Sequence, residues 1–306
     1  MRCVRFVCLA VALGGCAAPA SAGVLLYTFG GDFFSPGATG APDSLNRMDP
    51  ASGASVTNVQ TPVGDGNTGF NGGMVAIGNL LYAIGNDNSG VATLYSMHTN
   101  GLGLTAVSAA FNNTGGAAGV GFQNGLAAVG NTFYAIGAGA TTEDLYQIGN
   151  GAATQIATLN TFNGTYAGLA WDPAQSRFYG VIANASGGPT GDLLVSFPLS
   201  GTVTVLANLT TLDGVEAGTH LGGIADLGGG ILFDIYTNPN TFTGELERIN
   251  LNGGPAAATL YDSGVPLAQN AGIALTTPEP GTGIEIGAGL LLLCWMLRRI
   301  AIGAHS

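Results

Sequence analysis

The sequence predicts an all-β fold, a five-bladed β-propeller whose ring is closed by its N- and C-terminal strands. Three observations predict it: short strand-like segments recur in one order, they recur about every fifty residues, and the two ends of the repeat region supply complementary parts of one unit. Four short strands in a unit of this length are typical of a propeller blade. A curved open sandwich of repeated hairpins is the alternative, and it is disfavoured because it leaves edge strands exposed.

The first recurring segment is an aromatic residue flanked by apolar residues. It reads LLYTF at 25–29, LLYAI at 80–84, TFYAI at 132–136, RFYGV at 177–181 and ILFDI at 231–235. Successive aromatics are 55, 52, 45 and 54 residues apart. A second segment, Leu-x-x-apolar followed by a turn, comes after each one and begins at Leu45, Leu94, Leu145, Leu194 and Leu246.

Two further segments complete each unit. One is rich in Thr, Val and Ala and alternates, as in SVTNVQT, LTAVSAA, ATQIATL, TVTVLANL and AATLYD, which predicts a strand. The other is a glycine strand with small side chains, which suits the crowded innermost position, and it begins at Gly73, Gly125, Gly168, Gly223 and Gly272. The region starts with an aromatic strand and ends with a glycine strand, so the last strand should complete the first blade.

Composition excludes several function classes. Only 8% of the residues are charged, lysine is absent, and residues 23–277 carry sixteen acids and three arginines. Such a surface cannot neutralise a run of phosphates, so nucleic acid is excluded as a partner. The four cysteines all lie in the terminal segments, which excludes a disulfide scaffold or a thiolate site in the body. No cofactor is predicted.

The N-terminal segment, residues 1–22, is predicted to be a signal peptide. Two early arginines precede an apolar stretch, and Ala20-Ser21-Ala22 forms the small-x-small pattern of a cleavage site. The mature chain should therefore begin near Gly23, and residues 23–276 form the propeller domain. A competing interpretation takes LGGC as a lipoprotein cleavage box that would leave Cys16 lipidated.

The C-terminal segment, residues 277–306, combines Pro278-Glu279-Pro280, an apolar helix and Arg298-Arg299. This arrangement resembles the PEP-CTERM sorting signal of bacterial exported proteins. The resemblance implies a transmembrane helix that anchors the chain transiently in the inner membrane, an exosortase as partner, and delivery of the body to the cell surface or the extracellular matrix. An ordinary single-helix anchor is the alternative, although the uninterrupted apolar run of twelve residues is short for a permanent span.

Polar residues just before the glycine strands are the predicted ligand site, because the innermost strands of a propeller enter its central channel. Amide and aromatic groups with little charge suit neutral hydroxylated ligands, so the predicted ligand is a polysaccharide. These residues are Asn71, Gln123, Asn124, Tyr166, His220, Gln269 and Asn270. Turn and capping roles are the alternative for all of them.

Catalysis is the alternative function. Glu216, His220 and Asp226 could supply the acid and base of a glycoside hydrolase or lyase, with Asp172 as a further acid. No histidine pair predicts a metal site. The Asp/Asn-rich stretches DGNTG at 65–69 and NDNSG at 86–90 lack the downstream glutamate of a complete calcium loop, so no metal is predicted.

Overall fold

The protein is described here by a computed structural model, which covers residues 25–30, 44–48, 55–60, 70, 73–86, 91–111, 122, 125–138, 143–240, 244–252, 254–265 and 273–276. These residues form twenty strands and one short helix. The strands are β1 (Leu25–Gly30), β2 (Ser44–Met48), β3 (Ser55–Gln60), β4 (Met74–Ile77), β5 (Leu80–Asn86), β6 (Ala92–His98), β7 (Thr105–Ala106), β8 (Leu126–Val129), β9 (Thr132–Ala138), β10 (Glu143–Gly149), β11 (Ala152–Leu159), β12 (Thr165–Asp172), β13 (Arg177–Ala185), β14 (Gly191–Phe197), β15 (Thr204–Asn208), β16 (Ile224–Gly228), β17 (Ile231–Thr237), β18 (Gly244–Asn250), β19 (Ala257–Val265) and β20 (Ile273–Thr276), and the helix is α1 (Leu209–Asp213).

The strands pair into five antiparallel four-stranded sheets, which are the five blades of a propeller. Blade 1 has the order β20-β1-β2-β3, and blades 2 to 5 are β4–β7, β8–β11, β12–β15 and β16–β19. In blade 1 the last strand of the ring pairs with the first, with Leu25 opposite Thr276 and Thr28 opposite Ile273. The predicted fold, including its closure by the two terminal strands, is confirmed.

The described residues form five hydrophobic core clusters, and each lies between two neighbouring blades. Successive side chains of a strand point to opposite faces, so neighbouring residues serve different clusters. Leu26 packs with Phe233 of blade 5, whereas Tyr27 packs with Leu81 of blade 2. Blades 2 and 3, 3 and 4, and 4 and 5 share the remaining three clusters. Because every blade packs on two others, the ring is closed by burial as well as by pairing.

The glycine strands are innermost, as predicted, and they contact one another around the ring. Close backbone approach explains the glycines. A Cβ on Gly125 would lie 2.6 Å from the backbone nitrogen of Leu169 in the next blade, and its φ of +127° also disfavours other residues. Gly168 approaches Ile224 in the same way. The small residue is required because the inner strands meet backbone to backbone.

Two local features differ from the sequence prediction. The outer strand of blade 2 is only two residues long, because the hydroxyl of Ser108 accepts the amide hydrogen of Leu94 at 3.0 Å and interrupts the ladder. Pairing resumes as a single bridge between Ala92 and Phe111. The second feature is helix α1, which was not predicted. Asn208 caps its first turn by accepting from the amide of Thr211 at 3.0 Å.

Candidate functional site

The five inner strands surround a central cavity of about 330 Å³. Its walls are mostly small and aliphatic side chains, and Trp171, Pro173 and Asp226 add the larger and polar groups. Asp226 is the only charged residue among the described residues that line it. At the glycine end the channel narrows to a void of about 10 Å³, which is about the volume that one water molecule needs. The wider part of the channel therefore lies towards the C-terminal ends of the inner strands.

The acid at this cavity is held in a partly buried position. The carboxylate of Asp226 accepts the amide hydrogen of Gly228 at 3.0 Å. Burial raises the pKa of Asp226 to about 6, and the neighbouring Asp172 adds to this rise while the Gly228 amide opposes it. Asp172 has a structural role, since its Oδ1 accepts from the amides of Ala174 and Gln175 at 2.8 and 3.1 Å. These two bonds close the turn between β12 and β13.

A second polar site lies between blades 4 and 5, where four carboxylates surround the imidazole of His220. The Nδ1 atom is 2.8 Å from Oδ2 of Asp192 on β14. The Nε2 atom is 2.9 Å from Oδ2 of Asp213, the last residue of α1. It is also 3.7 Å from Oδ2 of Asp234 on β17 and 3.6 Å from Oε1 of Glu247 on β18. Side chains from blade 4, from α1 and from blade 5 thus meet at one histidine.

Asp192 anchors the loop that carries His220. Its two carboxylate oxygens accept the amide hydrogens of Asn184, Gly218, Thr219 and His220 at 2.6–3.1 Å. The loop before β16 is therefore tied to blade 4 through a single buried side chain. Because the same carboxylate also contacts Nδ1, it orients the ring so that Nε2 faces the other three acids.

Burial and the contacts within the cluster both shift the pKa values of its members, and at His220 and Asp192 they act in opposite directions. Burial by itself would lower the pKa of His220, but Asp192, Asp213, Glu247 and Asp234 raise it well above its ordinary value. Burial would raise the pKa of Asp192, yet its hydrogen bonds from the His220 ring and from backbone amides lower it to about 2. Burial raises the pKa of Asp234 well above the ordinary range, and Glu247 adds to this rise while His220 opposes it.

The cluster includes a set of atoms close enough to hold a metal ion. Asp213, His220 and Glu247 each offer one ligand atom, and these atoms lie within 4.8 Å of one another. His220, Asp234 and Glu247 are fully or almost fully buried. Imidazole nitrogen and carboxylate oxygen are both metal ligands when deprotonated.

The residues predicted to line the channel mouth are placed differently from one another. Tyr166 and His220 are both completely buried. The Tyr166 ring packs edge-on against Phe197, and its hydroxyl donates to the carbonyl of Asn160 at 3.4 Å. These two side chains therefore lie inside the protein and not in the mouth. The remaining predicted residues lie outside the described residues: Asn71, Gln123, Asn124, Gln269 and Asn270.

The three residues predicted for catalysis are not brought together around one cavity. Asp226 lines the channel, His220 is enclosed between the blades, and Glu216 is exposed on the loop before β16. The backbone carbonyl of Glu216 accepts from the hydroxyl of Thr219 at 2.7 Å, which shapes that loop.

Sequence reasoning missed Asp192, Asp213, Asp234 and Glu247, although two of them leave a signal in the repeats. Asp234 and Glu247 are directly paired across β17 and β18. The same pair of positions holds Ala83 and Tyr95 in blade 2. In the other blades it holds Thr28–Asn46, Ala135–Tyr146 and Gly180–Val195. Two acids at a position that is uncharged in every other repeat could have marked the site.

The terminal segments, with the sorting motif Pro278, Glu279, Pro280, Arg298 and Arg299, lie outside the described residues. Within the part of the chain that the structure covers, we find no helix with the length and apolar character needed to cross a membrane.

Comparison with known proteins gives similarity to solved structures only. No protein-family model matches the chain, and no curated protein matches it. A chain of a nidogen–laminin complex aligns with a TM-score of 0.47 and 12% identity over 84% of this chain and 100% of its own length. A putative TolB from Agrobacterium tumefaciens aligns with a TM-score of 0.47 and 12% identity over 82% of this chain and 92% of its own.

An engineered GH43 glycoside hydrolase with endo-xylanase and exo-arabinofuranosidase activity aligns with a TM-score of 0.46 and 11% identity. The alignment covers 85% of this chain and 51% of the hydrolase. At these identities and TM-scores the similarities carry no inference about activity. The assignment of the fold as a propeller rests on the pairing of its strands into five four-stranded sheets.

Proposed function

We propose that the protein is an exported, non-catalytic propeller that binds or organises polysaccharide at the cell surface or in the extracellular matrix. The export and sorting part of this proposal rests on the two terminal segments of the sequence. The binding part rests on the central cavity, whose described lining residues supply one aromatic side chain and one carboxylate on otherwise apolar walls.

The cavity has the character of a site for neutral, hydroxylated ligands. Ligand pockets are mostly apolar, with a few polar groups that fix orientation. Trp171 contributes a half-buried indole that packs on Phe178 with ring centroids 4.7 Å apart, and Asp226 contributes a hydrogen-bonding carboxyl group. These two residues lie on neighbouring inner strands. The proposed contact is therefore at the wide end of the channel, opposite the mouth predicted from sequence.

Retention on the producer's own exopolysaccharide tests the binding. We expect the wild-type protein to be retained and the Trp171→Leu and Asp226→Asn variants to be retained at least about tenfold less, which is about 1.4 kcal/mol. Leu260→Ala is the matched control, because Leu260 is 54% exposed on an outer strand. Equal retention of all four proteins, or none by the wild type, would contradict the proposal.

The intact mass of the protein recovered from the cell surface or medium tests the sorting. We expect a chain that starts near Gly23 and ends near Pro278–Pro280. A mass that retains Arg298 and Arg299 would indicate a lasting membrane anchor, and a start at Cys16 with added lipid would indicate the lipoprotein route.

A carbohydrate-active enzyme is the second candidate, and Asp226 is the observation in its favour. A carboxyl group with a pKa of about 6 beside a cavity can act as a general acid near neutral pH. Glycoside hydrolysis also needs a second carboxylate at a set distance. Release of reducing ends from the polysaccharide, abolished in Asp226→Asn, would favour this enzyme over the non-catalytic protein.

A further inference from the structure

Two carboxylates face each other inside blade 5, and three of their oxygens are buried without a hydrogen-bond partner. Asp234 on β17 and Glu247 on β18 occupy directly opposite positions of the antiparallel ladder. Both are buried, with 0% and 1% of the residue surface exposed. Within the described part of the chain, both oxygens of Asp234 and Oε1 of Glu247 have no hydrogen-bond partner. Like charges at such positions destabilise a sheet, and buried carboxylates are normally paired or bound to metal.

The charge of the cluster is not balanced by the histidine. Asp192 and Asp213 already take the two ring nitrogens of His220 at 2.8 and 2.9 Å. A protonated imidazole would offset one of the four carboxylates, and it would leave both oxygens of Asp234 and Oε1 of Glu247 without a hydrogen bond. No arginine forms an ion pair with these acids among the described residues. A divalent cation would offset two charges and would satisfy the free oxygens directly.

The spacing of the oxygens around Nε2 of His220 suits a small divalent ion. Asp213 Oδ2, Glu247 Oε1 and Asp234 Oδ2 lie 2.9, 3.6 and 3.7 Å from this atom. Ligand atoms that each lie about 2.0–2.2 Å from a tetrahedral ion are about 3.3–3.6 Å apart. Asp213, His220 and Glu247 already place one ligand atom each within 4.8 Å of one another. A movement of the Asp234 carboxylate towards them would complete the shell of an ion that replaces the proton on Nε2.

The partner of the other ring nitrogen completes a familiar arrangement. Metal-binding histidines usually donate their second N–H to a carboxylate, which fixes the tautomer and orients the ring. Asp192 occupies this position, and its four backbone hydrogen bonds hold it in place. Nε2 is thereby directed at the three remaining carboxylates.

We propose that Asp213, His220, Asp234 and Glu247 bind one divalent first-row transition-metal ion, such as Zn²⁺ or Mn²⁺, between blades 4 and 5. One imidazole and three carboxylates suit these ions, whereas Ca²⁺ prefers six to eight oxygen ligands. The four ligands leave the ion enclosed, which is typical of a structural site. The ion would tie α1 and the loop before β16 to the strands of blade 5, and this role is independent of polysaccharide binding.

Metal content of the full-length protein tests the proposal. The protein is stripped with EDTA, equilibrated separately with Zn²⁺, Mn²⁺ or Ca²⁺, desalted and analysed by mass spectrometry of the elements. We expect about one Zn²⁺ or Mn²⁺ per chain, and a midpoint of thermal unfolding about 8 °C higher with the metal than with EDTA. Uptake of neither ion with an unchanged midpoint, or uptake of Ca²⁺ alone, would overturn the proposal.

Isosteric variants locate the ion. Asp234→Asn and Glu247→Gln keep the side-chain shape, and each should weaken Zn²⁺ binding by more than about 100-fold, whereas the positioning variant Asp192→Asn should weaken it by about 10- to 100-fold. Asp226→Asn, which removes a carboxylate outside the cluster, should bind like the wild type. If the ligand variants bind with wild-type affinity, the ion lies elsewhere and the proposal fails.

X-ray absorption of the Zn²⁺-loaded wild-type protein gives a test that does not depend on whether the variants fold. We expect a first shell of nitrogen and oxygen at about 2.0–2.1 Å with the outer-shell scattering of one imidazole. Absence of the imidazole signal would overturn the assignment of His220 as a ligand.

Discussion

The contact between inner strands predicts that Gly168→Ala will destabilise the protein strongly. A Cβ at this position would lie 2.6 Å from the backbone nitrogen of Ile224 and 2.9 Å from Cα of Gly223, both in the next blade. Because these are backbone atoms, no side-chain rotation can relieve the overlap. Overpacking of this kind costs about 3 kcal/mol, which corresponds to a fall of about 6–12 °C in the unfolding midpoint of a domain of this size.

Two other glycines separate this steric cost from the cost of backbone conformation. Gly254 has no described heavy atom within 4 Å of its added Cβ and no left-handed φ, so Gly254→Ala should change the midpoint little. Gly130 also has open space but a φ of +61°, so Gly130→Ala should cost only about 1 kcal/mol. The assay is thermal unfolding of the full chain, followed by circular dichroism. If Gly168→Ala unfolds at the same temperature as Gly254→Ala, the backbone-to-backbone packing of the inner strands is refuted.

Three further predictions concern pH, anchoring and ring closure. The pKa of Asp226 in the folded protein, about 6, lies above its ordinary value of 3.8. The protonated side chain therefore contributes fully to the free energy of unfolding below about pH 3.8, and this contribution is lost as the pH rises through about 6. Water reaches this side chain and reduces the effect, so Asp226→Asn should be about 1 kcal/mol more stable than wild type at about pH 7.5 and equally stable at about pH 3.5. Urea titrations at the two pH values measure this. The same gain in stability at both pH values would contradict the prediction. Asp192→Asn weakens the hydrogen bonds to four backbone amides and to the ring of His220, so it should lower the free energy of unfolding by about 3–5 kcal/mol. It should also speed amide hydrogen exchange at Gly218 and Thr219. Unchanged exchange would exclude the anchoring role. Truncation after residue 272 removes β20 and exposes β1 as an edge, so this chain should aggregate in light scattering while a chain ending at Thr276 should stay monodisperse.

The repeats predicted the fold because each blade is a local unit. The aromatic, Leu-x-x-apolar, alternating and glycine segments pair mainly with their neighbours in sequence, so short-range patterns and turns are enough to identify four strands in each of five units. The long-range pairing between β1 and β20 was also predictable, because the first unit lacked a glycine strand and a single glycine strand followed the last unit. The helix α1 was missed because it directly follows an alternating segment, and its five residues are too few to show helical periodicity.

The polar cluster could not be predicted in the same way. Asp192, Asp213, His220, Asp234 and Glu247 come from two strands of blade 5, one strand of blade 4 and the connection between them, so their meeting depends on how two blades pack. His220, shortly before β16, and Tyr166, the second residue of β12, also show why a position near the start of an inner strand does not determine exposure. A side chain at such a position can point towards the channel or towards the space between blades, and both of these point towards the space between blades.

The sequence by itself therefore determined the number of blades, their strand order and the closure of the ring, because these follow from periodic burial and local pairing. It also supplied the predicted export and sorting segments. Only the tertiary structure decided which end of the channel is wider and that four acids converge on His220. Those features depend on distances between residues that are far apart in the chain, and hydrophobic periodicity carries no information about such distances.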